Sequence, residues 1–491
     1  MAQSGKLRTI FAISLIVFLG IGSWVSVAGI WCELPILILS GIPEQYRINS
    51  YVVTVTNLAV VAPLSLLLIS KRVSPGSLRV EIPVNHLLGI LGTLSSLLLI
   101  FFWNRFTEWR SIEQQHSTAF LCLLFVMAAV CATSESTSLR FASVVKPGYL
   151  NWFWIGQGLG SFLPALLVLV QGFGISCTTV QPYTVEATTQ FDNITCLHED
   201  CVYSFNFSPA CYFSLLLAFV VLSQLSFIFL NTLPCVEHEY NSSLNYRRYH
   251  GCTGVVLDES SSPEDRGWQL DLPLGRESRR ALLNPSEVLD EEEETGKFRP
   301  GPPSFDITVL YLTQFLISFI SCGIMDTVES YSAAAYGHGT FVVIVPLRAM
   351  VAAVSILFFL LRPRNSLRVV YTCLFFGILA SAYCMYVASS PVPPLRGTLA
   401  GRIVITIAWL LEGLFLNYCR VAVLWMLRVT DTSLTSLIRG GVVGQLGGLG
   451  GSLIMFVLIN ALGLFHTPQD QGAWIVEHSY RTLDLPHGCV L

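Results

Sequence analysis

Apolar runs of about twenty residues recur along this chain between short polar connections, and each is long enough to cross a hydrocarbon layer of about 30 Å as a helix. Eleven are predicted, near Thr9–Ile30, Ile48–Ser70, Pro83–Trp103, Ser117–Phe141, Leu150–Gln171, Pro209–Asn231, Phe305–Met325, Phe341–Leu361, Val369–Ser389, Ile403–Leu427 and Gly440–Leu464. Strands of a membrane barrel alternate over about ten residues, and these runs are too long and too uniformly apolar for that. Backbone groups in lipid are satisfied within a helix, so the expected class is an all-α polytopic membrane protein.

A polar stretch rich in Ser, Pro, Arg and Glu interrupts the pattern after the sixth run and ends in Asp290-Glu-Glu-Glu-Glu294. It has no sustained apolar period and too little apolar surface to offset the entropy of ordering. The predicted organisation is therefore a six-helix bundle over residues 1–231, a disordered linker over 232–303, a five-helix bundle over 304–465 and a tail over 466–491. Within the first bundle, residues 172–208 form a long connecting loop.

Composition narrows the function. Of 491 residues, 53% are hydrophobic and 12% charged, against about 25% charged in soluble domains; the mean hydropathy is +0.61. A net charge of −4 supplies no basic footprint for nucleic acid. No phosphate loop, zinc-type histidine pair or nucleophile elbow occurs, and the nine histidines fall in loops or at the ends of runs. The expectation is a non-enzyme with no metal and no cofactor, whose partners are the bilayer and a small molecule.

Orientation follows the basic residues of short connections. Lys6 and Arg8, then Lys71, Arg72 and Arg79, then Arg140 and Lys146, then Arg362, Arg364 and Arg368 share one side, which is expected to be cytoplasmic; Arg396 and Arg402 break the rule. Eleven crossings then put the N-terminus inside and the C-terminus outside. The acidic loop (Glu186, Asp192, Glu199, Asp200) is expected outside, with Asn193-Ile-Thr195 as a glycosylation sequon. Cys177, Cys196 and Cys201 lie beside it, and three cysteines allow one disulfide whose pairing stays open. Asn206-Phe-Ser208 and Asn241-Ser-Ser243 are weaker sequons, by the membrane and on the inner side. A cleaved leader competes for the first run through Ser26-Val-Ala28, but the run exceeds the usual 7–15 apolar residues of such leaders.

Polar groups within spans are candidate site residues because each is expensive in lipid. Gly22, Ser26, Gly29 and Glu33 share one face of the first helix, read either as a small-residue packing seam or as a cavity wall with Glu33 at its outer mouth; Trp24 lies opposite and Pro35 is expected to end or kink the helix. Glu135, Arg348 and Glu412 lie deeper. They are expected to meet at the cleft between bundles, or else to form a structural pair such as Arg348 with one glutamate. In the last span, Gly440, Gly441, Gly444, Gly447, Gly448, Gly450 and Gly451 indicate close helix packing, with Gln445 the polar side chain nearby.

Gly22-Ser-Trp24 followed by Gly29-Ile-Trp31-Cys-Glu33-Leu-Pro35 closely resembles the first-helix signature of animal riboflavin transporters. Similar stretches are Leu163-Pro-Ala165 through Gln171-Gly172, Tyr331-Ser332 with Tyr336-Gly337, and Gln445-Leu-Gly447. The resemblance implies uptake of riboflavin across the plasma membrane without ATP, facilitated or proton-influenced. It also implies an architecture similar to nucleoside transporters and major facilitators, with substrate near the midplane. Trp24, Tyr331, Ser332, Asn417, Tyr418 and Gln445 would then supply aromatic, hydroxyl and amide contacts. The chain departs from the family pattern at Ala28 (asparagine there), Cys131 (aspartate) and Ala352-Ala353 (Asn-Pro), while Glu135, Arg348 and Glu412 replace uncharged residues. Those departures leave a second expectation, a carrier of another vitamin-like or zwitterionic solute anchored by the three charges. A third is a surface receptor that kept the fold without net flux.

Overall fold

The structure, a computed structural model, describes residues 2–73, 81–109, 114–145, 149–172, 174–179, 183–185, 194–196, 199–233, 306–361, 366–430 and 434–465. The expected linker from residue 234 on, the tail and Asn193 lie outside the described residues, while Thr232 and Leu233 close the sixth span. Among the described residues there are thirteen α-helices: α1 (Ala2–Leu39), α2 (Ile48–Leu58), α3 (Val61–Val73), α4 (Glu81–Phe102), α5 (Thr118–Val145), α6 (Tyr149–Gln171), α7 (Pro209–Thr232), α8 (Ile307–Ser318), α9 (Asp326–Ala334), α10 (His338–Leu361), α11 (Leu367–Ser389), α12 (Leu399–Thr430) and α13 (Leu434–Phe456). Among the described residues they make eleven spans long and apolar enough to cross a membrane. The face where α1 begins is called the near face below, and the opposite one the far face.

Three spans differ from the hydropathy reading. The first continues through Pro35 to Leu39. Proline removes only one helical hydrogen bond, and Ile36, Leu37 and Ile38 are buried beyond it, so packing carries the helix on. The second is broken between Leu58 and Val61, giving α2 and α3. The seventh does not stop at Met325: α8 passes into a π-helical turn over Phe319–Met325 and resumes as α9, which is wholly buried. Asp326 and Glu329, just beyond the expected end, lie inside the protein.

Short antiparallel ribbons decorate the far face: β1 (Thr107–Trp109) with β2 (Gln114–His116), β3 (Gly174–Thr179) with β6 (Glu199–Ser204), and β4 (Tyr183–Val185) with β5 (Ile194–Cys196). The β3–β6 register sets Cys177 opposite Cys201, while Cys196 stands opposite Tyr183.

The halves before and after the long connection meet where α10 packs on α1 and α6, and where α2 packs on α9 and α13. Two large apolar clusters each draw on both halves. One lies toward the far face, around Ile36, Tyr46, Phe341 and Trp409. The other lies toward the near face, around Ile16, Phe153, Phe359 and Trp425. Glycine sets the closest approaches: a Cβ on Gly20 would lie 2.3 Å from the Phe153 carbonyl oxygen of α6, and one on Gly451 2.4 Å from that of Phe319.

Candidate functional site

Between the two apolar clusters, the broken second span faces the π turn of the seventh. Asn57, beside the break, donates through Nδ2 to the Cys322 carbonyl at 3.1 Å. From α12, Arg420 donates through Nη1 to the Cys322 thiol sulfur at 3.4 Å. A π turn widens the spacing of backbone carbonyls, and interrupted helices at mid-membrane are where carriers commonly build a ligand site. Cys322 is thus gripped from both halves.

On the N-terminal side, Trp24 of α1 donates its indole N–H to Glu135 Oε2 of α5 at 2.8 Å. Gln157 of α6 donates to Glu135 Oε1 at 3.2 Å, so both carboxylate oxygens are occupied. The Trp24 ring lies against a small cluster of Val27, Ala59, Ala128 and Cys131, next to the break in the second span. A cavity of about 50 Å³, lined in part by Gly22, Ser23, Asn85 and Ser134, lies among the helices of this half. It is far below the roughly 300–1,000 Å³ of small-molecule sites.

The other half holds a buried charge cluster. Arg348 of α10 donates through Nε and Nη2 to the two oxygens of Glu412 at 2.7 and 3.1 Å, and through Nη1 to Asp326 Oδ1 at 2.6 Å. Glu329 Oε2 stands 3.6 Å from Nη1. The Arg348 stem lies across Gly413, where a Cβ would come within 3.0 Å of its Cγ. Its guanidinium carbon sits 4.9 Å from the centre of the Trp409 ring, and Trp409 donates to Ser332 Oγ at 3.1 Å. Helical spacing accounts for the acidic pair: Asp326 and Glu329 are three residues apart and share a face.

The sequence-derived candidates are therefore only partly gathered. Glu135 does not meet Arg348 or Glu412; it is satisfied by an indole and an amide in its own half. Arg348 and Glu412 pair as the structural alternative anticipated, with Asp326 and Glu329 added. Glu33 is neither at an open mouth nor in water: it is fully buried and accepts from Gln171 at 2.9 Å. The glycines of its face pack on α7, Gly22 against Ser223 and Gly29 against Leu216, which is the packing seam. Tyr331 is buried beside Phe465, and Ser332 is buried under Trp409. Asn417 donates to the Gly413 carbonyl of its own helix at 2.8 Å. Tyr418 packs on Phe358 and Phe359. Gln445 is half-buried with Oε1 unpartnered. The glycines around it pack as expected, with Gly447 against the Phe315 backbone and Gly448 against Asn57. Asn57, Gln157, Asp326 and Glu329 were not anticipated; the i, i+3 carboxylates directly after an apolar run were the available signal.

At the far face the halves are latched. Tyr46 Oη lies 2.9 Å from His338 Nδ1 with the rings stacked, and Ser330 Oγ donates to the Tyr46 carbonyl at 2.9 Å. Within the N-terminal half at the same face, Glu44 accepts from the Ser117 N–H and hydroxyl at 2.6 and 2.7 Å. Burial, with Tyr383 nearby, pushes the Tyr336 phenol up from its ordinary value between α9 and α10. Toward the near face, Trp154 of α6 meets Trp425 of α12 with ring centres 5.9 Å apart.

Known proteins align with this arrangement. The D-xylose–proton symporter matches with a TM-score of 0.52 over 98% of this chain and 100% of its own, at 9% identity, a likeness of fold alone. The solute carrier family 52 riboflavin transporter member 3-A of Danio rerio is 30% identical over 453 residues, covering 91% of this chain and 95% of that one. Member 3 of Homo sapiens is 29% identical over 480 residues, covering 92% and 96%. A sequence profile of "Solute carrier family 52, riboflavin transporter" matches residues 8–467, and on that span this chain belongs to the family.

Proposed function

We propose that this protein carries riboflavin into the cell across the plasma membrane by alternating access, without ATP. Membership of the riboflavin transporter family over residues 8–467 is the observation that carries the reading. The two halves act as a six-helix and a five-helix bundle that rock about a site between them. The site lies at the facing interruptions, the Leu58–Val61 break and the Phe319–Met325 turn. There Trp24 offers a flat surface for the flavin ring, and Asn57, Arg420 and Gln445 offer donors to the ring carbonyls and ribityl hydroxyls.

The distribution of Lys and Arg supports a cytoplasmic near face, with the C-terminus, the 172–208 loop and a glycosylated Asn193 outside. A solute anchored on Glu135, Arg348 and Glu412 together is the weaker reading, because each of these charges is already engaged within its own half. Coupling to protons belongs to the same reading.

Uptake of radiolabelled riboflavin into cells expressing this chain tests the reading, with surface level measured and unlabelled flavins as competitors. Saturable, competed uptake is expected. Absence of uptake by protein that reaches the surface overturns the assignment of substrate.

A further inference from the structure

The carboxylates around Arg348 outnumber its charge. Nε and Nη2 are both directed to Glu412 and Nη1 is directed to Asp326, at 2.7, 3.1 and 2.6 Å. Glu329 is the third acid and is left out of this bonding. Its Oε2 is 3.6 Å from Nη1, beyond hydrogen-bond distance, and its Oε1 is buried with no partner. Formally, one guanidinium faces three carboxylates, a surplus of two negative charges within a bilayer, where unpaired charge is costly.

The groups facing Glu329 come from several helices. They are Asp326 on its own helix, Arg348 of α10, Glu412 of α12, Cys384 of α11 and Cys32 of α1. Among the described residues Arg348 is the cation near it, and its hydrogen bonds are spent on the other two acids. Arg420, the next arginine on α12, is turned to Cys322 instead.

We propose that Glu329 is the proton-binding site that couples the carrier to the proton gradient, an inference that rests on the transport reading above. A proton from water on the far side forms an O–H bond at Oε1, and the neutral acid sheds that proton to water on the near side after the halves have moved. One proton enters per cycle and nothing else is made or broken. The position suits such a role because Ser330, the adjacent residue, holds the Tyr46 carbonyl at 2.9 Å across the two halves. Asn49 of α2 also reaches the Asp326 carbonyl at 3.5 Å. A change of charge at Glu329 therefore acts one residue away from the far-face latch.

The test compares wild type with Glu329→Gln in two assays: riboflavin uptake at external pH between 5.5 and 8, and riboflavin exchange, which moves no net proton. The wild type is expected to take up several-fold more at pH 5.5 than at pH 8. Glu329→Gln is expected to show a flat profile while still exchanging riboflavin. A variant that keeps the wild-type profile overturns the proposal, as does a profile flattened by His338→Gln but not by Glu329→Gln. Saturable wild-type uptake with no pH dependence overturns the proton site and leaves the riboflavin reading standing; no saturable uptake defeats both. If Glu329→Gln fails to reach the membrane, wild-type protein in vesicles loaded with a pH-sensitive dye decides. Riboflavin-driven acidification of the lumen that is abolished by carbodiimide modification of Glu329, located by peptide mass spectrometry, supports the proposal; riboflavin entry without acidification, or acidification that survives this modification, overturns it.

Discussion

Trp24 and Glu135, 111 residues apart in the chain, are joined by a 2.8 Å hydrogen bond from indole to carboxylate near mid-membrane. The bond fixes the plane of the ring proposed to meet the flavin, and it supplies one of the two donors that satisfy a charge in lipid. Hydrogen bonds to charged groups contribute about 1.5–3 kcal/mol. Trp24→Phe is therefore expected to lower riboflavin uptake by about tenfold or more at matched surface level. Glu135→Gln, which leaves the indole an acceptor, is expected to lower it less. Uptake normalised to surface biotinylation measures both.

Arg348→Met leaves Asp326, Glu329 and Glu412 buried without their cation. Removing one partner of a buried pair costs about 3–5 kcal/mol, so little of this variant is expected at the surface. Adding Glu412→Gln removes one orphaned charge and is expected to recover part of the surface level. Detergent-extracted thermal stability is expected to follow the same order.

The latch at the far face joins the two halves through Tyr46. Tyr46→Phe removes the 2.9 Å contact to His338 but keeps the stacked ring. A loss of about 0.5–1.5 kcal/mol shifts the balance about two- to tenfold toward the state open on that side. Cys32, 1% exposed beside this cluster, is the native reporter. Its alkylation, followed by peptide mass spectrometry, is expected to speed up by the same factor.

Gly451→Val places side-chain carbon 2.4 Å from the Phe319 carbonyl oxygen, against backbone that has no room to yield. Loss of folded protein is expected. Gly441→Ala, on the same helix with nothing within 4 Å, is expected to be silent in both surface level and uptake.

In the outer ribbon, the backbone register sets Cys177 opposite Cys201. The expected disulfide joins these two and leaves Cys196 as the thiol. Non-reducing peptide mapping of the purified protein checks the pairing, and a bond from Cys196 to either partner contradicts it.

The spans were legible because lipid imposes a length and an apolar composition that local sequence displays directly. The packing of the last helix was legible for a similar reason, since Gly447 and Gly451 have no use for so much missing side chain except close contact. Charge pairing was not. Asp326 and Glu329 belong to a span only because Arg348, twenty-two residues beyond Asp326, reaches them, and hydropathy scores each residue without its partner. Glu135 was matched in expectation with another charge, whereas an indole and an amide were enough to hold it. Pro35 did not end its helix, because burial of the residues after it outweighs one absent hydrogen bond.

The π turn at Phe319–Met325 leaves the seventh span with a winding defect between two α-helical pieces. Moving such a defect one residue along a helix turns the residue it passes by about 100°. A defect that moved from the turn past Asp326 would turn that one carboxylate by the same angle away from Arg348, while α8 keeps its seat against α13. The C-terminal half thus holds, one residue before its charge cluster, a point where the backbone hydrogen-bond register already shifts by one residue.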